Sequence, residues 1–141
     1  MTEDGRARAG PWLDWRAVTA GAAVTLVITA GPIAGLRLVV GDEAQGVERN
    51  LWVVAVIALF AAFAVGGQVA ARRRPEAPLL HAATGAAVAF TVFTAYTLAR
   101  RLLRGDGVSA PLLITLFFLF QINVSVAVLS GHVASRRSRR D

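Results

Sequence analysis

Four apolar runs, separated by short polar segments, constrain this chain more than any other feature of its sequence. We place them at about residues 17–40, 51–71, 79–99 and 112–134. Each run is close to the ~20 residues that a helix needs to cross a bilayer. A soluble domain would instead carry its apolar residues in short periodic stripes. The runs therefore predict an all-α membrane protein with four transmembrane helices.

The charged residues lie almost entirely outside these runs. We predict a cytoplasmic tail over residues 1–16, a single transmembrane domain over residues 17–134 and a basic cytoplasmic tail over residues 135–141. All 15 basic residues are arginine, and with the N-terminus inside, ten of them lie on the cytoplasmic side and five on the other. Because arginine-rich ends face the cytoplasm, we predict a multi-pass protein of the plasma membrane (the bacterial cytoplasmic membrane) with both termini inside.

The chain also resembles itself at an offset of 64 residues. Residues 15–74 laid on residues 79–138 are identical at 13 of 60 positions, where composition alone would give about five. The identities include three pairs of glycines, Gly21 with Gly85, Gly41 with Gly105, and Gly67 with Gly131. The sequence therefore predicts two tandem helical hairpins, a parallel internal repeat related by a pseudo-two-fold axis along the membrane normal. Gly41 and Gly105 are each expected to end a helix in the left-handed conformation.

Small residues recur every four positions in several of the runs, as in Ala17, Gly21, Thr25 and Thr29, and in Ala62, Gly66 and Ala70. In lipid, helices associate through close van der Waals contact, and small residues let their backbones approach. We therefore predict that such positions pack helices together, within one chain or between chains of a homo-oligomer or a larger membrane complex. The glycines expected at these contacts are Gly21, Gly66, Gly67, Gly85 and Gly131.

The boundary between the second and third runs carries a family resemblance. The second run ends in Gly66-Gly67-x-Val69-Ala70-x-Arg72, and the third begins with Leu80-His81 followed by Gly85. This pattern resembles small uncharacterised four-helix integral membrane proteins of Gram-positive bacteria, in which a Gly-Gly-x-x-x-Gly-Arg helix end precedes a helix bearing His-Gly. Ala71 and Ala82 stand where that group has glycine. The resemblance spans residues 15–134, is specific only across 66–85, and implies an architecture but no active-site residue.

Three uncharged polar residues, Gln121, Asn123 and Ser125, lie near the middle of the fourth run. Polar groups in the hydrocarbon core are costly and therefore informative. Gln121 and Ser125 are expected to share one helix face, and Asn123 to point away from it. They make either hydrogen bonds between helices or a polar lining for a permeation path or small-ligand site.

Two arginine clusters flank the predicted cytoplasmic side. Arg72, Arg73 and Arg74 end the second run, and Arg136, Arg137, Arg139 and Arg140 follow the fourth. They either set topology alone or contact anionic lipid or an acidic partner. His81 and His132 lie near the same boundary, where hydrogen bonding is the expected role.

The residue types that are absent exclude several function classes. The chain has no cysteine, and no Asp, Glu or Lys lies inside the four runs. Two histidines alone do not make a metal site, and no catalytic set or phosphate-binding loop is found. We expect no enzyme activity, no cofactor, no metal and no nucleic-acid partner. The sequence favours a structural or accessory component of the lipid bilayer, with a small oligomeric channel or carrier near Gln121 and Asn123 as the alternative.

Overall fold

The computed structural model describes the backbone of residues 13–40 and 48–137, and the side chains of residues 13–31 and 53–137. Within these ranges the chain forms four helices: α1 (Trp15–Val40), α2 (Glu48–Arg73), α3 (Pro78–Leu103) and α4 (Ala110–Arg137). The prediction of an all-helical chain with four helices is confirmed.

The helices extend beyond the apolar runs from which they are predicted. α3 ends at Leu103 instead of near residue 99, so Arg100 and Arg101 lie in its last turn and not in a loop. α4 likewise continues to Arg137. Hydropathy marks where apolar side chains stop, whereas the backbone stays helical while its hydrogen bonds continue. Arginine is also favourable at a helix C-terminus, where the backbone carbonyls make the end negative.

Gly105 ends α3 in the left-handed conformation, with a φ of 78°. Its N–H donates to the Leu102 carbonyl at 3.1 Å, and the Asp106 N–H donates to the Arg101 carbonyl at 3.0 Å. This pair of bonds is the Schellman motif, which satisfies the last carbonyls of the helix. The prediction for Gly105 is confirmed, and the equivalent prediction for Gly41 lies outside the described residues.

Three of the helices contain segments long and apolar enough to cross a membrane. These segments are Val53–Arg73, Pro78–Leu103 and Ala110–Arg137. α1 contributes a shorter apolar stretch, Trp15–Gly31, over the residues whose side chains are described. By length and composition, these three segments are compatible with a membrane protein, and a crossing by α1 stays a prediction.

The bundle places α1 beside α3 and α2 beside α4, so the helices that are equivalent in the repeat run parallel as neighbours. A two-fold axis along the membrane normal would make the α2–α3 and α1–α4 contacts equivalent. Among the described residues α2 contacts α3, but α1 has no contact with α4. The contacts do not show the two-fold relation, and the repeat stays a prediction.

α1 and α2 pack through small residues at close range. A methyl group added at Gly21 would stand 2.8 Å from both the Gly66 carbonyl oxygen and the Ala70 Cβ, and one added at Gly66 would overlap the Thr25 hydroxyl. The Thr25 Oγ1 donates to the Gly21 carbonyl at 2.9 Å. The stripe of small residues on α1 is therefore buried against α2 within the chain.

α2 and α4 make a second close contact through Gly67 and Gly131. A methyl group at Gly67 would lie 2.5 Å from the Ala127 carbonyl oxygen, and one at Gly131 would lie 3.2 Å from the Ala71 Cβ. Ser130 adds a hydrogen bond from its Oγ across the helices to the Ala64 carbonyl, at 2.8 Å.

Gly85 packs α3 against α1 more loosely. A methyl group there would lie 3.4 Å from the Val18 carbonyl oxygen, an ordinary van der Waals distance. An aromatic cluster fills the centre of the bundle, where the ring centroids of Phe63 and Phe90 are 6.4 Å apart and those of Phe90 and Phe120 are 5.5 Å apart.

Candidate functional site

Asp14, Arg74 and His81 form a polar cluster at one end of the bundle. This is the end at which α1 and α3 begin and α2 and α4 end, and we call it the basic end. The Arg74 Nε donates to the Asp14 Oδ2 at 2.6 Å. The Asp14 backbone N–H donates to the His81 Nε2 at 3.0 Å. The polar cluster thus joins the start of α1 to the turn between α2 and α3 and to the first turns of α3.

Asp14 also caps the N-terminus of α1. Its Oδ1 accepts the Arg16 N–H at 2.8 Å, and its carbonyl accepts the N–H groups of Ala17 and Val18, each at 3.1 Å. These are the donors that a helix start leaves unsatisfied. The hydrogen bond from Arg74, followed by the bond from the Arg16 N–H, lowers the pKa of Asp14 below its ordinary value. The same contact raises the pKa of Arg74.

His81 is almost fully buried, with 3% of its surface exposed. Its Nδ1 lies 2.8 Å from the Ala77 carbonyl oxygen and donates to it. Because Nε2 accepts from the Asp14 N–H, these partners assign the tautomer with the proton on Nδ1. Both ring nitrogens are used, so His81 makes the hydrogen bonds that its sequence position predicts.

The polar residues of α4 do not come together. The Asn123 side chain is fully buried; its Nδ2 donates to the Leu119 carbonyl at 2.7 Å, and its Oδ1 has no partner among the described residues. Gln121 and Ser125 are exposed, and the Ser125 Oγ donates to the Gln121 carbonyl at 2.8 Å. The structure therefore places Gln121 and Ser125 outside the bundle and Asn123 inside it.

This separation bears on both predicted roles of these three residues. Within one chain they do not share a lining, because Asn123 faces inward and the other two face outward. Their described hydrogen bonds also stay within α4. The bonds between helices come instead from Ser130 on α4 and, at a longer 3.5 Å, from Thr25 on α1 to the Ala62 carbonyl.

The two arginine clusters lie together at the basic end. Arg72 and Arg73 are exposed in the last turn of α2, and Arg136 and Arg137 are exposed in the last turn of α4. Arg74 differs from them because it is paired with Asp14. Arg139 and Arg140 lie outside the described residues.

The amino-acid sequence alone does not reveal the polar cluster. Asp14 lies three residues before the first apolar run, and Asp shortly before such a run is a helix-capping signal that could have assigned its cap. Its partners Arg74 and His81 lie 60 and 67 residues away along the chain. Nothing in a single sequence shows that these particular side chains are in contact.

The chemistry of the polar cluster is that of a structural tether. Both carboxylate oxygens of Asp14 and both ring nitrogens of His81 are engaged in hydrogen bonds. The part of the chain that the structure describes holds no group of three His, Cys, Asp or Glu residues that could bind a metal ion. None of the protein families, curated proteins and solved structures compared with the chain matches it.

Proposed function

We propose that the chain is a multi-pass protein of the cytoplasmic membrane, with both termini inside, and that it is a structural or accessory component of a membrane assembly. No catalytic role is part of this proposal. The proposal also includes the similarity of the chain to the small four-helix proteins of Gram-positive bacteria, which is carried by residues 66–85. The observation that carries it is the outward surface of α4.

The small-residue faces are not available to a partner. Gly21, Gly66, Gly67 and Gly131 are buried in contacts between helices of the same chain. A partner must therefore meet a different surface. The apolar segment of α4 is the least buried of the three long ones. In its apolar stretch 11% is buried, against 28% in those of α2 and α3.

One face of α4 is exposed over its whole length. We call it the α4 outer face and define it by Ile114, Phe118, Gln121, Ile122, Ser125 and Leu129. It lies opposite the buried positions Asn123 and Ala127. Except for Gln121 and Ser125 it is apolar, as a surface facing lipid or another membrane helix must be.

Gln121 supports a helix partner over lipid alone. Its side-chain amide carries two donors and an acceptor, and the described residues give that amide no hydrogen-bond partner. The hydrocarbon of the lipid supplies no hydrogen-bond partner either, so leaving the amide donors and acceptor of Gln121 unpaired there is costly. A polar side chain on a neighbouring helix would satisfy them, with a gain of roughly 0.6–2 kcal/mol per bond.

Purification from native membranes in mild detergent, with the mass of the intact assembly measured, tests this proposal. We expect a mass above that of one chain, from a second polypeptide at fixed ratio or from further copies. Gln121→Leu should weaken the assembly, whereas the same substitution at Gln68, on α2 near the basic end, should not. A single-chain mass for the wild type, also after cross-linking in the membrane, would refute the proposal.

A small oligomeric channel or carrier is the second candidate. In an oligomer meeting at the α4 outer face, Gln121 and Ser125 would face the space between chains, whereas Asn123 would not. Solute flux into liposomes should then fall with Gln121→Leu and persist with Asn123→Leu. Flux that is lost with Asn123→Leu alone would argue against this arrangement.

The tandem repeat is also part of the proposal. The neighbouring parallel helices pack at or close to the glycines that the predicted repeat makes equivalent. Gly131 packs beside Gly67, and Gly85 packs against Val18 and Ala22, which flank the level of Gly21. This register is what two copies of one hairpin would give if they packed side by side.

A further inference from the structure

The strongest unassigned feature is the positive charge at the basic end. α2 and α4 run parallel and are in contact where Gly131 meets Ala71, the residue directly before Arg72. Arg72 and Arg136 each follow their crossing glycine, Gly67 or Gly131, by five residues. The last turns of the two helices therefore bring Arg72, Arg73, Arg136 and Arg137 to the same end of one helix pair.

The ion pair with Asp14 separates Arg74 from this group. Arg74 turns to Asp14, and it is the only described arginine in an ion pair. Arg72, Arg73, Arg136 and Arg137 are exposed on the last turns of their helices. Among the described residues none of these four makes an ion pair, so they are open to a partner outside the bundle, whereas Arg74 is paired.

The lengths of the helices fit a position of these arginines at the membrane surface, which rests on the membrane crossing proposed above. The apolar segments of α2 and α4 have 21 and 28 residues and end at Arg73 and Arg137. At about 1.5 Å per residue they measure roughly 31 and 42 Å, against a hydrocarbon core of about 30 Å. The arginine ends therefore reach the level of the lipid phosphates.

We propose that Arg72, Arg73, Arg136 and Arg137 form a binding site for the phosphate of an anionic glycerophospholipid at the α2–α4 helix ends. The guanidinium group is a planar fork that binds phosphate oxygens with two parallel hydrogen bonds. Because the two helices are in contact near these ends, two pairs of such forks can approach one headgroup from two sides. The site requires helix ends at headgroup level but no protein partner, so a single-chain mass in the assembly experiment leaves it standing.

Native mass spectrometry of the full chain in a zwitterionic detergent tests the site, with phosphatidylglycerol and phosphatidylcholine of the same acyl chains as probes. We expect phosphatidylglycerol to be retained in preference. The double variant Arg72→Gln/Arg136→Gln should bind it roughly thirty-fold more weakly, since each basic residue contributes a factor of about five. The control Arg100→Gln/Arg104→Gln removes the same charge from the end of α3 at the opposite end of the bundle and should change binding less than about threefold.

Three results would overturn the proposal. They are equal retention of the two lipids, an equal loss in the control variant, and displacement of the lipid by inorganic phosphate, which would make this a site for free anions. If the glutamine variant does not fold, the wild type still decides. Raising the salt to about 0.5 M should then weaken phosphatidylglycerol binding, because exposed charges are screened, and binding indifferent to salt would reject the site.

Discussion

A methyl group added at Gly67 would stand 2.5 Å from the Ala127 carbonyl oxygen, whereas one added at Gly31 would meet nothing within 4 Å. Both glycines lie inside helices, and Gly31 is exposed. The neighbour of Gly67 is backbone and cannot rotate away. The same residue type therefore has a packing role at one position and none at the other.

Gly67→Ala should lower the free energy of unfolding by about 1–3 kcal/mol, the usual range for overpacking a tight contact. Gly31→Ala is the matched control and should not lower it, because alanine is favoured over glycine inside a helix by roughly 0.5–1 kcal/mol. Reversible unfolding in mixed micelles, followed by helix content, measures both. Equal effects of the two substitutions would mean that the α2–α4 contact is not close.

Asn123 presents the opposite case of a polar side chain held in the core. Because its Oδ1 has no partner among the described residues, replacing the amide by leucine, which is larger but branches at the same atom, should leave stability within about 1 kcal/mol of wild type, or raise it. Asn123→Asp should cost more than about 2 kcal/mol, because it buries a carboxyl group. The same unfolding assay measures both. A large loss with leucine would indicate that the hydrogen bond from the Asn123 Nδ2 to the Leu119 carbonyl contributes to stability.

At the scale of the element, the start of α1 is held by the polar cluster, and Asp14 gives this contact a pH dependence. Asn keeps the capping oxygen but not the charge, so Asp14→Asn removes the ion pair with Arg74 while the cap remains. At neutral pH we expect this variant to unfold a few degrees below the wild type.

The pH window follows from the lowered pKa of Asp14. A carboxyl group whose pKa is lowered by folding stabilises the folded state when the pH is above its ordinary pKa, which is near 4. This stabilisation is lost as the pH falls through the lowered pKa of the folded state. The gap between wild type and Asp14→Asn should therefore close below about pH 4. A gap that is constant from neutral to acid pH would contradict the ion pair.

The sequence predicts which segments are helical, because runs of apolar residues are a local signal. It predicts only some of the residues at which the helices end. Gly105 is recognisable as a stop because glycine adopts positive φ without strain. The apolar run before it ends near residue 99, yet the backbone stays helical to Leu103. The spacing of Gly21, Thr25, Gly66 and Ala70 likewise identifies which faces pack, since residues four apart share a helix face.

Across the whole molecule, the sequence is silent on how the helices are arranged. Side-chain spacing identifies a packing face but not the helix that covers it, so the α1–α3 and α2–α4 pairings are visible only in the structure. The contact of Asp14 with Arg74 and His81 is missed for the same reason. The polar residues of α4 can be assigned to opposite faces by spacing, but which face is buried depends on α2 and α3.

We propose that the basic end and the α3–α4 loop lie on opposite sides of the membrane, and the accessibility of single cysteines measures this. The chain has no cysteine of its own, and Glu76 and Ser109 are both exposed, in the α2–α3 and α3–α4 connections. A membrane-impermeant maleimide should label Ser109→Cys in intact cells and Glu76→Cys only after permeabilisation. Labelling of both positions from the same side would contradict the account.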